Sequence, residues 1–393
     1  MSIPRLFPPP PLSLTEGLEG FAQLLQRVLP IRPKHRAALP AQIRTLSGYL
    51  TVEREQLPCD YMNQPPLLSA YLHYFLPWNI YRQGRLLAGL DLRVKPGARI
   101  LDLGAGPLTF LLALWLARPG MRDQELQYLG VDQSEMVLKH GRGLFRELAG
   151  GSSWSVRTER KTAVAVRTAP SDLLVMANLL NEMEWGGGRS AASGADEGQE
   201  SPYEKALLKW GRMVGADGAI LLIEPGTRSS ARQLVRLREV ALKLGWRVAA
   251  PCPHELSCPM PGQRHTAWCH FNFPAVGAPF WLQKLSRRAK LPKDRASLSF
   301  LLLTRGDDPV VRVGTGQPPV AGETAVRAVS EAFDLPDWQR GSYGCAEPGL
   351  VLLQDQKGGG GAQPSPGDLI RVVWPSMPER DRKSGAWIIP RSR

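Results

Sequence analysis

The chain has 393 residues, 43% of them hydrophobic and 22% charged. That is enough to bury a sizeable core in more than one domain, and it excludes an intrinsically disordered chain, which needs low hydrophobicity. Five cysteines in this length exclude a disulfide scaffold, and the longest apolar run, Phe110 to Ala117, is far too short to span a membrane. Lys and Arg number 49 against 36 Asp and Glu, a net charge of +13. Such a surplus favours a polyanionic partner, with nucleic acid the default because each neutralised phosphate releases counterions. A well-solvated basic surface would give the same sum.

Met1 to Gly20 contain no apolar signal-peptide core. Pro8 to Pro11, Glu16 and Glu19 argue against an amphipathic mitochondrial presequence. The expectation is a cytoplasmic protein, in a reducing compartment, whose cysteines are metal ligands or buried thiols. Residues 1–95 read as a helical region. Leu18, Phe21, Leu24, Leu25 and Val28 recur at helical spacing, and Pro30, Pro33, Pro40, Pro58 and Pro65–Pro66 are expected to cut the region into short helices. Tyr61, Tyr71, Tyr74, Trp78 and Tyr81 read as packing between those helices.

From residue 96 to 305 strands alternate with helices. Strands are expected at Arg99–Leu103, Gln127–Val131, Asp172–Ala177, Ala219–Ile223 and Leu298–Leu303. Helices are expected at Leu108–Ala117, Ser134–Leu148 and Ala231–Leu244. This alternation predicts an α/β, doubly wound, Rossmann-like domain with a parallel sheet. Gly186–Ser201 reads as an exposed loop and 250–296 as a cysteine-rich insertion. Residues 306–393 read as a small β-rich region with a flexible loop at Lys357–Gly367. Its end, with Arg380, Arg382, Lys383, Arg391 and Arg393, reads as a mobile basic tail.

Ile100-Leu101-Asp102-Leu103-Gly104-Ala105-Gly106-Pro107 puts a glycine turn between a strand and a helix. Gly104 and Gly106 let a ligand approach the backbone, and the helix N-terminus offers free N–H groups. Asp132 ends the next strand, where a carboxylate can accept both ribose hydroxyls. A dinucleotide fingerprint wants a third glycine, but Thr109 stands there. The stretch instead resembles motif I of class I S-adenosylmethionine-dependent methyltransferases. That resemblance implies a cofactor site of Asp102 (to the methionine amino group), Gly104, Gly106, Asp132 (to the ribose), Gln133 and Asn178. It places Met136 near the adenine. Leu108 stands where glycine is common and is expected to crowd the methionine end. No Asn-Pro-Pro-aromatic motif follows Asn178, and no Cys lies between Cys59 and Cys252 to act as a nucleophile. Glu182 is the one nearby candidate base, and an exposed helix-start Glu reads the same way.

Cys252, Cys258 and Cys269 fall within eighteen residues, in Cys-Pro-His, Cys-Pro and Trp-Cys-His-Phe contexts, and Cys345 follows much later. Four thiolates can hold zinc or an iron–sulfur cluster, and His254, His265 and His270 keep zinc open. Together with Glu224-Pro225-Gly226-Thr227, these motifs resemble the methyltransferase-like proteins of small-ribosomal-subunit assembly, known from mitochondria and bacteria. The resemblance spans about Tyr71 to Val351. It implies a four-iron–four-sulfur cluster on Cys252, Cys258, Cys269 and Cys345, and binding to small-subunit ribosomal RNA; a monomer without a membrane partner is expected. Lys284, Arg287, Arg288, Lys290, Lys293 and Arg295 form a basic run beside the cysteines that would grip phosphates, with Arg232 and Arg236 one helical turn apart. The alternative is a catalytically active methyltransferase on RNA or a small molecule, with zinc in the cysteine site.

Overall fold

The computed structural model describes residues 5–51, 58, 61–92, 94–183, 185, 201–305, 322–356 and 363–391. Most of the expected loops at 186–201 and 357–367, together with Cys59 and Arg393, lie outside the described residues.

The N-terminal region is helical: α1 (Leu12–Glu19), α2 (Phe21–Val28), α3 (Pro33–Thr51), α4 (Pro65–Ala70) and α5 (Leu76–Gly89). Prolines mostly start these helices rather than cut them. Pro33 and Pro65 are first residues, where the missing N–H costs no hydrogen bond. Pro40 lies inside α3 without ending it. The carbonyl it leaves unbonded belongs to Arg36 on an exposed turn, where water can take it, while Leu39, Ile43 and Leu46 hold the helix to the core. Between α4 and α5 the chain makes a π-helical turn, Tyr71–Phe75.

The central sheet contains β1 (Ala98–Leu103), β2 (Leu126–Asp132), β3 (Trp154–Arg160), β4 (Ser171–Ala177), β5 (Val214–Pro225), β6 (Arg247–Ala250), β7 (Phe271–Pro274) and β8 (Arg295–Thr304). Its order is β3-β2-β1-β4-β5-β8-β6, with β7 on β8. The first five strands are parallel, but β8 runs antiparallel to β5, β6 and β7. The parallel sheet expected from the alternation is thus corrected at β8, while the doubly wound, Rossmann-like α/β layout stands. The chain reaches β8 through β7 and a short helix, α10 (Phe280–Arg288), which returns it in the opposite direction. Strand β3 escapes the sequence reading because Arg157, Glu159 and Arg160 interrupt its apolar residues at the sheet edge. Strands β6 and β7 are only four residues each.

Helices α6 (Thr109–Ala117), α7 (Glu135–Ala149), α8 (Pro202–Arg212) and α9 (Arg228–Lys243) complete the layers. Period-two alternation in the strands splits the core between the faces. Ile100, Leu173, Val175 and Leu221 join α6 and the N-terminal helices, while Leu101, Leu174, Met176 and Ile220 face α8 and α9. Among the described residues no helix is long and apolar enough to cross a membrane.

The C-terminal region forms a second sheet: β9 (Glu323–Ala328), β10 (Phe333–Leu335), β11 (Gln339–Ala346), β12 (Gly349–Gln356), β13 (Leu369–Val373), β14 (Glu379–Arg380) and β15 (Trp387–Pro390). Its order is β13-β9-β11-β12-β15-β14, with β10 on β11. Trp374 and Trp387, from opposite ends of that order, meet edge-on at 6.2 Å, so the sheet curls on itself. The basic end expected as a mobile tail is instead part of this sheet. Arg380 stacks 3.7 Å from the Trp387 ring centre and Arg391 pairs with Asp355 at 3.0 Å. Buried Arg327 of β9 joins the two sheets by donating to the carbonyls of Pro251 (3.0 Å) and Gly367 (2.9 Å). The N-terminal strap does the same from the other side: Arg5 pairs with Asp368, and Phe7 stacks on Phe273 at 4.5 Å.

Leu108 has a left-handed backbone, φ +57°, and its side chain is fully buried between Gly130 and Gly141. A Cβ on Gly141 would stand 2.6 Å from both the Pro107 carbonyl carbon and Leu108 Cγ. Gly141→Ala should therefore lower stability by about 1–3 kcal/mol despite its better helix propensity. Thermal unfolding checks this, and an unchanged midpoint would contradict it.

Candidate cofactor cavity and cysteine site

A cavity of about 980 Å³ opens at the C-terminal ends of β1, β2, β4 and β5, where α/β sheets bind ligands. The glycine turn after β1 forms part of its wall. Gly104 has φ +71° and Gly106 φ +51°, conformations that favour glycine. A Cβ on Gly106 would project into open space, so the loop presents bare backbone to the cavity. Asp132 fixes that loop: Oδ2 accepts the Gly106 N–H at 2.9 Å and Oδ1 accepts the Ser134 N–H at 2.9 Å. Ser134 then caps α7, and its hydroxyl donates to Asn63 of the N-terminal region at 3.0 Å.

Of the residues proposed for the cofactor, Gly104, Gly106, Asp132, Gln133 and Asn178 line the cavity. Asn178 takes a left-handed backbone, φ +60°, while its N–H donates to Ile223 at 2.7 Å. Asp102 lies beneath the wall, 1% exposed. It accepts a hydrogen bond from the Tyr128 hydroxyl, and its Oδ1 has no partner. Burial pushes the Asp102 carboxyl up to about 7; the Tyr128 bond opposes this and the charge of Asp132 adds to it. Two expectations are corrected. Leu108 does not crowd the cavity, because its left-handed backbone turns the side chain down between β2 and α7. Met136 is 42% exposed and off the lining; Val137, one residue on along α7, faces inward.

The cavity wall also contains residues that no sequence motif marks: Tyr71 from the π-turn, Asn79 and Arg82 from α5, and Lys293 from the loop before β8. Glu182 lines the cavity too. Burial and then the Glu182 charge raise the Tyr71 phenol to about 12. The opposite rim is built on buried Glu224, which accepts from the Leu180 N–H at 2.8 Å and from the Asn181 side chain. Tyr71 and Phe75, four apart on a turn wider than an α-helix, stack with an interplanar angle of 24°. The π-turn is invisible to apolar spacing, so this half of the wall has no motif to find.

The segment between β6 and β7 carries Cys252, Cys258 and Cys269; Cys345 comes from β11. All four are free thiols. Burial raises the Cys269 thiol most, and the charges of Cys252, Cys258 and Cys345 each raise it further, so the four sulfurs share one neighbourhood. Burial likewise pushes Cys258 up to about 11. His254 Nε2 lies 3.4 Å from Cys345 Sγ. Buried Arg238 of α9 lies near Cys252, where its charge counters the effect of burial on the thiol, and donates to the His254 carbonyl at 2.9 Å, and Arg327 approaches from the second sheet. Among the described residues, no three His, Cys, Asp or Glu side chains are grouped as a single metal ion requires.

The cysteine loop is tied to the cavity wall. Trp268 Nε1 donates to the Gly226 carbonyl at 3.2 Å. Arg228 donates to the carbonyls of Gln263 and Thr266, both at 2.6 Å, with its guanidinium 4.4 Å from the Trp268 ring centre. Ser299 of β8 donates to the Cys269 carbonyl at 2.8 Å.

The basic run splits on folding. Lys284, Arg287, Arg288 and Lys290 are exposed on α10 and the turn after it. Lys293 faces the cavity, and Arg295 pairs with Glu331 at 2.6 Å. Arg232 and Arg236 are exposed on α9.

Residues 197–308 match the sequence profile of a family described as mitochondrial small ribosomal subunit Rsm22. No curated protein matches the chain. Among solved structures, the chain is similar to a putative class I S-adenosylmethionine-dependent methyltransferase from Listeria monocytogenes, with 13% identity, a TM-score of 0.33 and coverage of 75% of this chain and 87% of that one. It is also similar to a precorrin-6Y C5,15-methyltransferase from Geobacter metallireducens (12%, TM-score 0.32, 57% and 87%). A third is an S-adenosylmethionine-dependent methyltransferase from Thiobacillus denitrificans in complex with S-adenosylhomocysteine (15%, TM-score 0.31, 58% and 92%).

Asp102 gives the site a pH signature. Its folded carboxyl titrates near 7 against 3.8 in the unfolded chain, so the fold holds a proton the unfolded chain has lost. Its effect on stability is therefore a loss as pH rises from 3.8 to about 7, level above that, on the order of 1.4 kcal/mol per pH unit within the window. Asp102→Asn cannot ionise and should flatten that fall. Urea unfolding at several pH values tests it; a profile parallel to the parent's would contradict the assignment.

Proposed function

We propose that this chain is a methyltransferase-like protein of the small ribosomal subunit that binds S-adenosylmethionine, a four-iron–four-sulfur cluster and ribosomal RNA. The observation that carries this is the family match at 197–308, which takes in Cys252, Cys258 and Cys269, strands β5 and β8, and the exposed basic ridge on α10.

The cavity suits the cofactor. Asp132 keeps lone pairs for ribose hydroxyls while holding the glycine loop, and the unpartnered Asp102 Oδ1 suits an ammonium group, directly or through water. When bound, S-adenosylmethionine supplies an electrophilic methyl group. Gly104, Gly106, Gln133 and Asn178 are the lining residues that would hold it, and residues of the N-terminal helices complete the wall.

The four cysteines suit a cluster as ligands. Four neighbouring thiolates, one buried and three half-buried, would repel one another, so a cationic core is needed to hold them deprotonated. Arg238 and Arg327 offset the net negative charge of such a cluster. Its role is structural: Cys345 ties the second sheet to the loop that flanks the cavity. The ridge of Lys284, Arg287, Arg288 and Lys290 then grips RNA phosphates.

Two measurements on the full chain test this. Affinity for small-subunit ribosomal RNA should fall steeply with salt, and Arg287→Glu with Arg288→Glu should reduce the log–log slope by about 2. Calorimetry should show S-adenosylhomocysteine binding weakened about 10-fold or more by Asp132→Ala. RNA affinity indifferent to salt, or a folded chain that binds no S-adenosylhomocysteine, would overturn the corresponding part.

A further inference from the structure

Lys293 is an unusually placed cation. Its ammonium lies over two aromatic rings, 5.5 Å from the centre of Tyr74 and 5.4 Å from that of Trp78. Half-buried, it lines the cavity and has no hydrogen-bond or ion-pair partner among the described residues. Arg82 sits beside it but is already occupied, donating to the Ser297 carbonyl at 3.2 Å and to the Asn79 side chain. Burial, and then the Arg82 charge, lower the Lys293 ammonium to about 7. A cation–π contact of about 1–2 kcal/mol offsets only part of the cost of burying an ammonium. Of the two cations Arg82 feels the charge of Glu224, whereas Lys293 has no paired anion among the described residues.

Topology says where that anion sits. The glycine turn follows β1, and Lys293 precedes β8; β4 and β5 lie between them in the sheet. Lys293 thus enters from the far side of the strand ends.

We propose that Lys293, backed by Arg82, receives an anionic oxygen of a ligand held in the cavity. This deepens the cofactor and RNA reading and rests on the cavity being a ligand site. Two sources carry the chemistry: the carboxylate of the cofactor's amino-acid part, or a phosphate of an RNA acceptor. Either would form a charge-assisted hydrogen bond shielded from water and restore the full charge on the ammonium.

The test uses the full chain, Lys293→Met and Lys293→Arg, each first checked for an unchanged thermal midpoint. Calorimetry measures S-adenosylhomocysteine and 5′-methylthioadenosine, which lacks the amino-acid carboxylate. Inorganic phosphate is titrated onto the protein with and without S-adenosylhomocysteine. If the cofactor carboxylate is the source, Lys293→Met weakens S-adenosylhomocysteine by about 10- to 100-fold and leaves 5′-methylthioadenosine unchanged. If an acceptor phosphate is the source, S-adenosylhomocysteine is unchanged and phosphate binding is lost. Lys293→Arg keeps most of the affinity in both cases. A folded Lys293→Met that binds all three probes like the parent overturns the proposal and leaves Lys293 as a packing residue. Should the parent bind neither adenosine ligand, the cofactor reading fails, while the phosphate titration on the ligand-free chain still decides this one.

Discussion

The antiparallel pairing of β8 with β5 is the contact on which the rest depends. Seven consecutive pairs, from Ala219 opposite Thr304 to Pro225 opposite Leu298, lock a returning strand into an otherwise parallel sheet. The chain between those strands holds α9, the cysteine loop, the basic ridge and Lys293. Closing β8 onto β5 therefore sets Lys293 at the cavity wall and the cysteine loop beside the end of β5. Glu224, at the end of β5, is paired with Ser299, and Ser299 in turn holds the cysteine loop by donating to the Cys269 carbonyl. Losing that register would separate the cavity from the cysteines rather than merely weaken one of them.

Three separate segments then converge on the insertion. The N-terminal strap brings Phe7 onto Phe271 and Phe273, β9 brings Arg327 to Pro251, and β11 brings Cys345 to His254. Each contact spans a long stretch of chain, so each orders two regions at once. One buried and three half-buried thiols lie here beside two buried guanidiniums, an electrostatically demanding combination. A site of that kind is held by its surroundings, and the surroundings are held by whatever neutralises it.

How much of this is legible in the sequence follows from burial. β1, β2, β4, β5 and β8 are buried on both faces and read as plain apolar runs, and the helices beside them show their spacing. The glycine turn and Asp132 are legible because their chemistry needs particular residues at a particular junction. β3, at the edge, mixes charge into its pattern and is lost. Lys293 is hidden by its neighbours: among Lys284, Arg287, Arg288 and Lys290 it looks like one more surface cation, and only the turn after α10 aims it inward. Leu108 misleads for a related reason. Residue type alone says that a side chain replaces glycine, while the backbone angle decides which way it points.

The central claim is that the four cysteines hold one iron–sulfur cluster joining the two sheets. The most direct measurement is iron, acid-labile sulfide and zinc per chain in anaerobically purified protein, compared with Cys345→Ser. The account predicts about four irons and four sulfides per chain, with both lost when Cys345 is replaced. One zinc and no sulfide, or a full cluster surviving without Cys345, would contradict it.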